Sequence, residues 1–135
     1  MIKRPLDRRF SELVLSGMKT TTIRDRAWPV GVPIMLYNWS GAPYRSKQVD
    51  VAAVKVCGFW TIRITLRQDG SMIYDCGKES GPELWKSEGF ASQKEMDDWF
   101  RPLVKPDQTV EKTLMRFRQL NNPVRHEGAQ PRSCL

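Results

Sequence analysis

The sequence predicts an α+β domain in which a small mixed β-barrel carries helices at its ends. Three observations predict it. An amphipathic segment near the start closes on a glycine, a long central run alternates apolar and polar residues, and a capping box later opens a second apolar-faced helix.

Leu6, Phe10, Leu13 and Val14 recur at helical spacing, with Asp7, Arg8, Arg9 and Glu12 on the other face. The spacing predicts a helix over about Asp7 to Ser16, with Gly17 where a helix end wants positive φ. Thr20 to Ile23 are all β-branched and predict a strand. Trp28 to Pro33 reads as a loop, Ile34 to Tyr37 as a short buried strand, and Asn38 to Lys47 as a polar loop. Val49 to Leu66 is the alternating run, with a bulge or bend expected at Cys57-Gly58. Asp69-Gly70 supplies a hairpin turn, and Met72 to Tyr74 the returning strand.

Glu79 to Gly89 reads as a loop with one helical turn near Glu83 to Lys86. Ser92 and Glu95 form the capping box, and Met96, Trp99, Phe100 and Leu103 the apolar face behind it. Pro102 and Pro106 end that helix. Leu114, Met115 and Phe117, flanked by Arg116 and Arg118, mark a last strand. Residues 1–120 therefore form the domain, and 121–135, aperiodic with two prolines, are expected to be a flexible C-terminal tail.

The bulk numbers agree with one domain. A chain of 135 residues with 40% hydrophobic content buries roughly two thirds of its unfolded surface, enough for a core without staples. Its composition excludes a disordered chain. Twenty-two Lys and Arg against 15 Asp and Glu give a net charge of +7, which favours anionic partners, nucleic acid and nucleotides first; a merely basic surface accounts for the same charge. Three cysteines offer neither a metal spacing nor an even disulfide set, and the one histidine, His126, lies in the tail. No metal and no cofactor are expected. Met1 to Pro5 is basic with no apolar run behind it, and no apolar stretch is long enough to span a bilayer. The expectation is a cytoplasmic monomer without membrane contact.

Lys19 follows the helix-ending glycine and precedes the threonines and Arg24. Such a lysine, beside hydroxyls and a guanidinium, suits an anion or nucleotide. Pattern alone reads it more simply, as a solvated lysine on a β edge. The run Phe10…Leu13-Val14-Leu15-Ser16-Gly17-Met18-Lys19-Thr20-Thr21-Thr22-Ile23-Arg24 resembles the ASCH domain signature, an amphipathic helix followed by Gly-x-Lys-Thr-x-Thr-x-Arg. Val30 to Tyr37 is similar to that family's glycine-led second strand, and Ser87 to Ser92 to its Glu-Gly-Phe segment before the last helix. The resemblance spans about Pro5 to Leu120.

That resemblance implies a PUA-like barrel with a cationic cleft for RNA or a modified nucleoside. It further implies amide hydrolysis of the kind that removes the acetyl group of N4-acetylcytidine, by residues matching Lys19, Thr22 and Glu88. Thr20, Arg24, Arg26 and Trp28 are the expected substrate contacts. Neutral Lys19 would take the Thr22 proton, Thr22 would attack the amide carbonyl, and Glu88 would handle the leaving amine's proton. Lys19 and Thr22 are three apart, so a regular strand would point them to opposite faces; they share a cleft if Lys19 sits in the turn.

Alternatives stay open. The resemblance also admits a ribonuclease; a non-catalytic RNA-binding module would show a continuous basic groove with aromatic steps, drawing on Arg63, Arg67, Arg116, Arg118 and the N-terminal cations. A protein–protein adaptor would show an exposed apolar patch without polar convergence. Trp28, Trp39 and Tyr44 lie on loops suited to covering a cleft or stacking a base, although packing accounts for any one tryptophan. Trp99 and Phe100 read as core.

Overall fold

In a computed structural model, which describes residues 1–77 and 83–120, the central alternation becomes one 19-residue strand. This β4 (Gln48–Leu66) buries Ala52, Val54, Val56, Ile62, Ile64 and Leu66, all of one parity, against the core. Its register shifts between Val56 and Gly58, at the expected bulge. The expected tail, 121–135, and the loop residues 79–82 lie outside the described residues.

The described elements are β1 (Ile2–Pro5), a 3-10 turn (Arg8–Phe10), α1 (Ser11–Ser16), β2 (Thr21–Arg24), β3 (Ile34–Trp39), β4, β5 (Met72–Asp75), α2 (Leu84–Glu88), α3 (Gln93–Phe100), a second 3-10 turn (Arg101–Leu103) and β6 (Gln108–Gln119). The strands make one six-stranded mixed sheet ordered β1-β3-β4-β6-β2, with β5 against β4. β1 runs parallel to β3 and the other pairs are antiparallel. The fold is α+β, but the sheet is not closed: β1 and β2 end its path.

Three differences from the sequence reading have physical causes. β1 was not expected, because Lys3 and Arg4 hide a short strand that gains its place by pairing Ile2 with Ile34. That strand occupies the chain up to Pro5, so the first helix starts later and tighter. Asp7 caps its 3-10 turn by accepting from the Arg9 N–H. The last strand extends well before Leu114, because residues 108–113 pair with β4 through backbone bonds that need no apolar side chains.

α3 starts as its capping box predicts. Ser92 Oγ accepts from the Glu95 N–H at 3.2 Å, and Glu95 Oε1 accepts from the Ala91 N–H at 3.2 Å. The helix buries Met96 and Phe100 in the same core as Val14, Ile34, Leu36, Leu114 and Met115. No helix among the described residues is long and apolar enough to cross a membrane.

Candidate functional site

Gly17 determines where Lys19 goes. With φ of 82° it ends α1 in the left-handed conformation and donates its N–H to Val14 O at 3.1 Å. The chain folds back so that the Lys19 N–H reaches Leu13 O at 2.9 Å. Lys19 therefore sits in the turn before β2, as the shared-cleft condition requires. Thr20 is fastened on both sides: its N–H donates to Ser87 O at 2.9 Å, and its carbonyl accepts from the Phe117 N–H at 3.0 Å.

The Lys19 side chain runs inward and is 4% exposed. Its Nζ donates to the Glu88 backbone carbonyl at 2.6 Å, stands 3.9 Å from Glu88 Oε1, and lies 4.6 Å from the centroid of the Phe10 ring. Burial pulls the ammonium down from 10.5 to about 8; Glu88 opposes that pull, while Arg24 and Arg9 add to it.

Glu88 ends α2 and is 2% exposed. Its Oε2 accepts from the Thr21 hydroxyl, which also lies 3.1 Å from Ser87 Oγ. Gly89 follows with φ of +95°, turning the chain at once. A Cβ there would meet Phe10 Cδ1 at 3.1 Å and Lys19 Cδ at 3.3 Å, so the glycine also makes room for the lysine stem.

Thr22 and Arg24 share a face of β2, two residues apart. Arg24 Nε donates to Thr22 Oγ1 at 3.0 Å, and its guanidinium lies 4.8 Å from the centroid of the Trp28 ring. Burial lowers the Arg24 pKa, with Glu88 opposing.

Lys19, Thr22, Arg24 and Glu88 all line one cavity of about 420 Å³, together with Phe10, Phe90, Phe100 and Trp99. No hydrogen bond joins Lys19 to Thr22: the lysine is committed to Glu88 and the threonine to Arg24. Of the other expected contacts, Thr20 serves through its backbone, and Trp28 is buried beneath Arg24. Arg26 is exposed, and neither it nor Trp28 lines the cavity. Among the described residues no three His, Cys, Asp or Glu side chains group as metal ligands.

Thr21 is the residue that sequence reasoning missed. In a run of three threonines nothing distinguishes the middle one until α2 brings Ser87 and Glu88 to its face of the strand. Of the two rings expected in the core, Phe100 is buried there and also lines the cavity, whereas Trp99 is exposed and packs against Phe10 as part of the cavity wall.

The cations named for a groove are partly engaged elsewhere. Arg63 pairs with Glu111 at 3.4 Å, Arg116 lies over Trp60, and Arg9 pairs with Glu95. No protein-family profile, curated protein or solved structure matches the chain.

Proposed function

We propose that this cavity binds a single RNA nucleotide or modified nucleoside and hydrolyses an amide on its base, as in N4-acetylcytidine. The observation that carries the reading is the burial of an amine and a carboxylate, Lys19 and Glu88, in one cavity with a hydroxyl and a guanidinium. The charges and hydroxyls needed for acyl transfer are held out of water, where each acts more strongly. A volume of about 420 Å³ suits a ligand of nucleoside size. The Gly17 to Arg24 run supports placing the chain with the ASCH branch of PUA-like domains, with the open sheet as its variant of that barrel.

The chemistry follows from the groups present. Near pH 8 part of Lys19 is neutral and accepts a proton from Thr22. The Thr22 oxygen attacks the acetyl carbonyl carbon; the Arg24 Nε–H that donates to that oxygen stabilises it as it loses its proton, and the negative charge passes to the carbonyl oxygen of the tetrahedral intermediate. Collapse of the tetrahedral intermediate breaks the carbon–nitrogen bond, and the proton held by Lys19 passes to the leaving amine, with Glu88 stabilising the ammonium meanwhile. Water then hydrolyses the threonine ester, releasing acetate and restoring the hydroxyl. Lys19 must exchange its bond to the Glu88 carbonyl for the Thr22 hydroxyl when substrate enters.

The commitment of Lys19 to Glu88 and of Thr22 to Arg24 is the specific observation favouring a second reading, a non-catalytic pocket for a base or nucleotide. The convergence of polar groups weighs against a protein–protein adaptor. The test is incubation of the full chain with N4-acetylcytidine, reading acetate release and binding separately. Acetate release that Lys19→Ala abolishes is the expected result. Binding without release selects the second reading, and neither binding nor release overturns both.

A further inference from the structure

Two aromatic groups from separate elements line the cavity. The first, Phe10, Phe90 and Trp99, packs internally in edge and tilted contacts. Its faces are engaged by cations: Arg9 lies 4.9 Å from the Phe10 centroid and 5.3 Å from those of Phe90 and Trp99, with Lys19 over Phe10 as well. The second group is Trp39, the last residue of β3, with Tyr44 from the β3–β4 connection.

Tyr44 differs from every other ring at the cavity. It is 88% exposed, and its ring contact is Trp39 at 5.2 Å, tilted by 49°. Its backbone holds φ of 65°, a conformation that costs a non-glycine residue energy. The loop maintains it through its own bonds. Ser40 N–H donates to Lys47 O at 2.8 Å, Gly41 N–H to Ser46 Oγ at 2.9 Å, and Ser46 Oγ to Ala42 O at 2.8 Å. Arg8 Nη2 ties the loop entrance down by donating to Trp39 O and Ser40 O, each at 3.0 Å. A large ring is thus held at a cavity rim, at a backbone cost, with a face left to water.

We infer that Tyr44, backed by Trp39, is the stacking platform for the base of the ligand, and so selects a planar heteroaromatic ring over a non-aromatic acylated amine. The inference rests on the nucleoside reading of the cavity and adds a specificity residue outside the charged cluster. Covering the exposed face recovers the burial that the strained loop forgoes, and base–aromatic stacking tolerates any base.

The test is calorimetric titration of the full chain with N4-acetylcytidine, and with cytidine, for wild type, Tyr44→Phe and Tyr44→Gly. Tyr44→Phe keeps the ring and is expected to bind within about twofold of wild type. Tyr44→Gly is expected to bind about 5- to 100-fold more weakly, while unfolding at no lower temperature, since glycine accepts the positive φ. Wild-type affinity in Tyr44→Gly, or an equal loss in Tyr44→Phe, overturns the stacking role while leaving the nucleoside reading intact. Failure of the wild type to bind either nucleoside overturns that reading, and the stacking role with it.

Discussion

The Lys19 ammonium stands 3.9 Å from a carboxylate oxygen of Glu88, and both side chains are almost wholly removed from water. A buried pair of this kind is a poor source of stability, because desolvating two charges offsets most of their attraction. Breaking it is costly, because one partner is then stranded. Its presence under a cavity therefore points to use of the charges rather than to their structural worth.

Replacing one partner tests that coupling. Lys19→Met leaves the Glu88 carboxylate buried without its cation and is expected to destabilise by about 3–5 kcal/mol. Adding Glu88→Gln to it is expected to recover a large part of the loss. Urea unfolding of the two single variants and the double variant measures the interaction.

The depressed basicity of Lys19 makes stability depend on pH. Its ammonium titrates at about 8 in the folded chain against 10.5 in the unfolded one. Between those values the unfolded chain holds the extra proton, so unfolding free energy rises with pH through this window. The full span of that gain is on the order of 3 kcal/mol. Tyr74, whose hydroxyl burial and Asp97 raise, opposes the trend above pH 10. Subtracting the curve of the double variant Lys19→Met/Glu88→Gln, which strands no carboxylate, from that of wild type between pH 7 and 10 isolates the rise, and a flat difference contradicts it.

The two adjacent threonines should separate stability from function. Thr21→Val removes the hydroxyl bound to Glu88 and is expected to cost about 1–3 kcal/mol of folding stability. Thr22→Val gives up the bond from Arg24 at the cavity wall, so it is expected to change stability less and to abolish acetate release. Thermal unfolding read beside the acetate assay distinguishes them.

Gly89 combines strain with a steric demand that Gly31 lacks. Both have positive φ, but a Cβ at Gly31 meets nothing within 4 Å, whereas at Gly89 it meets Phe10, Leu13 and Lys19. Each alanine variant is expected to lose about 1–2 kcal/mol from the left-handed backbone. Gly89→Ala is expected to lose more than Gly31→Ala, and to weaken nucleoside binding as well, because it displaces the lysine stem.

Much of this arrangement is legible in the residues. Alternation over the central run, the Ser92 capping box and the Gly17 helix stop each rest on local chemistry, and each appears close to where its pattern lies. Gly17 also explains how Lys19 and Thr22 share a cavity despite their odd spacing. The rest depends on contacts between distant segments. No local signal sets Glu88 against Thr21, 67 residues away, or buries Trp28 beneath Arg24. The open sheet depends on which strands find partners, and the short basic β1 gains its place only from β3.

The functional reading depends above all on Lys19 being a desolvated amine of lowered basicity. Carbon-13 labelling of lysine, with the Lys19 signal assigned by Lys19→Arg, allows its titration to be followed directly by NMR. A midpoint near pH 8, moving when N4-acetylcytidine is added, is the predicted result. A midpoint near 10.5, unchanged by the nucleoside, would place the amine in water and contradict the account.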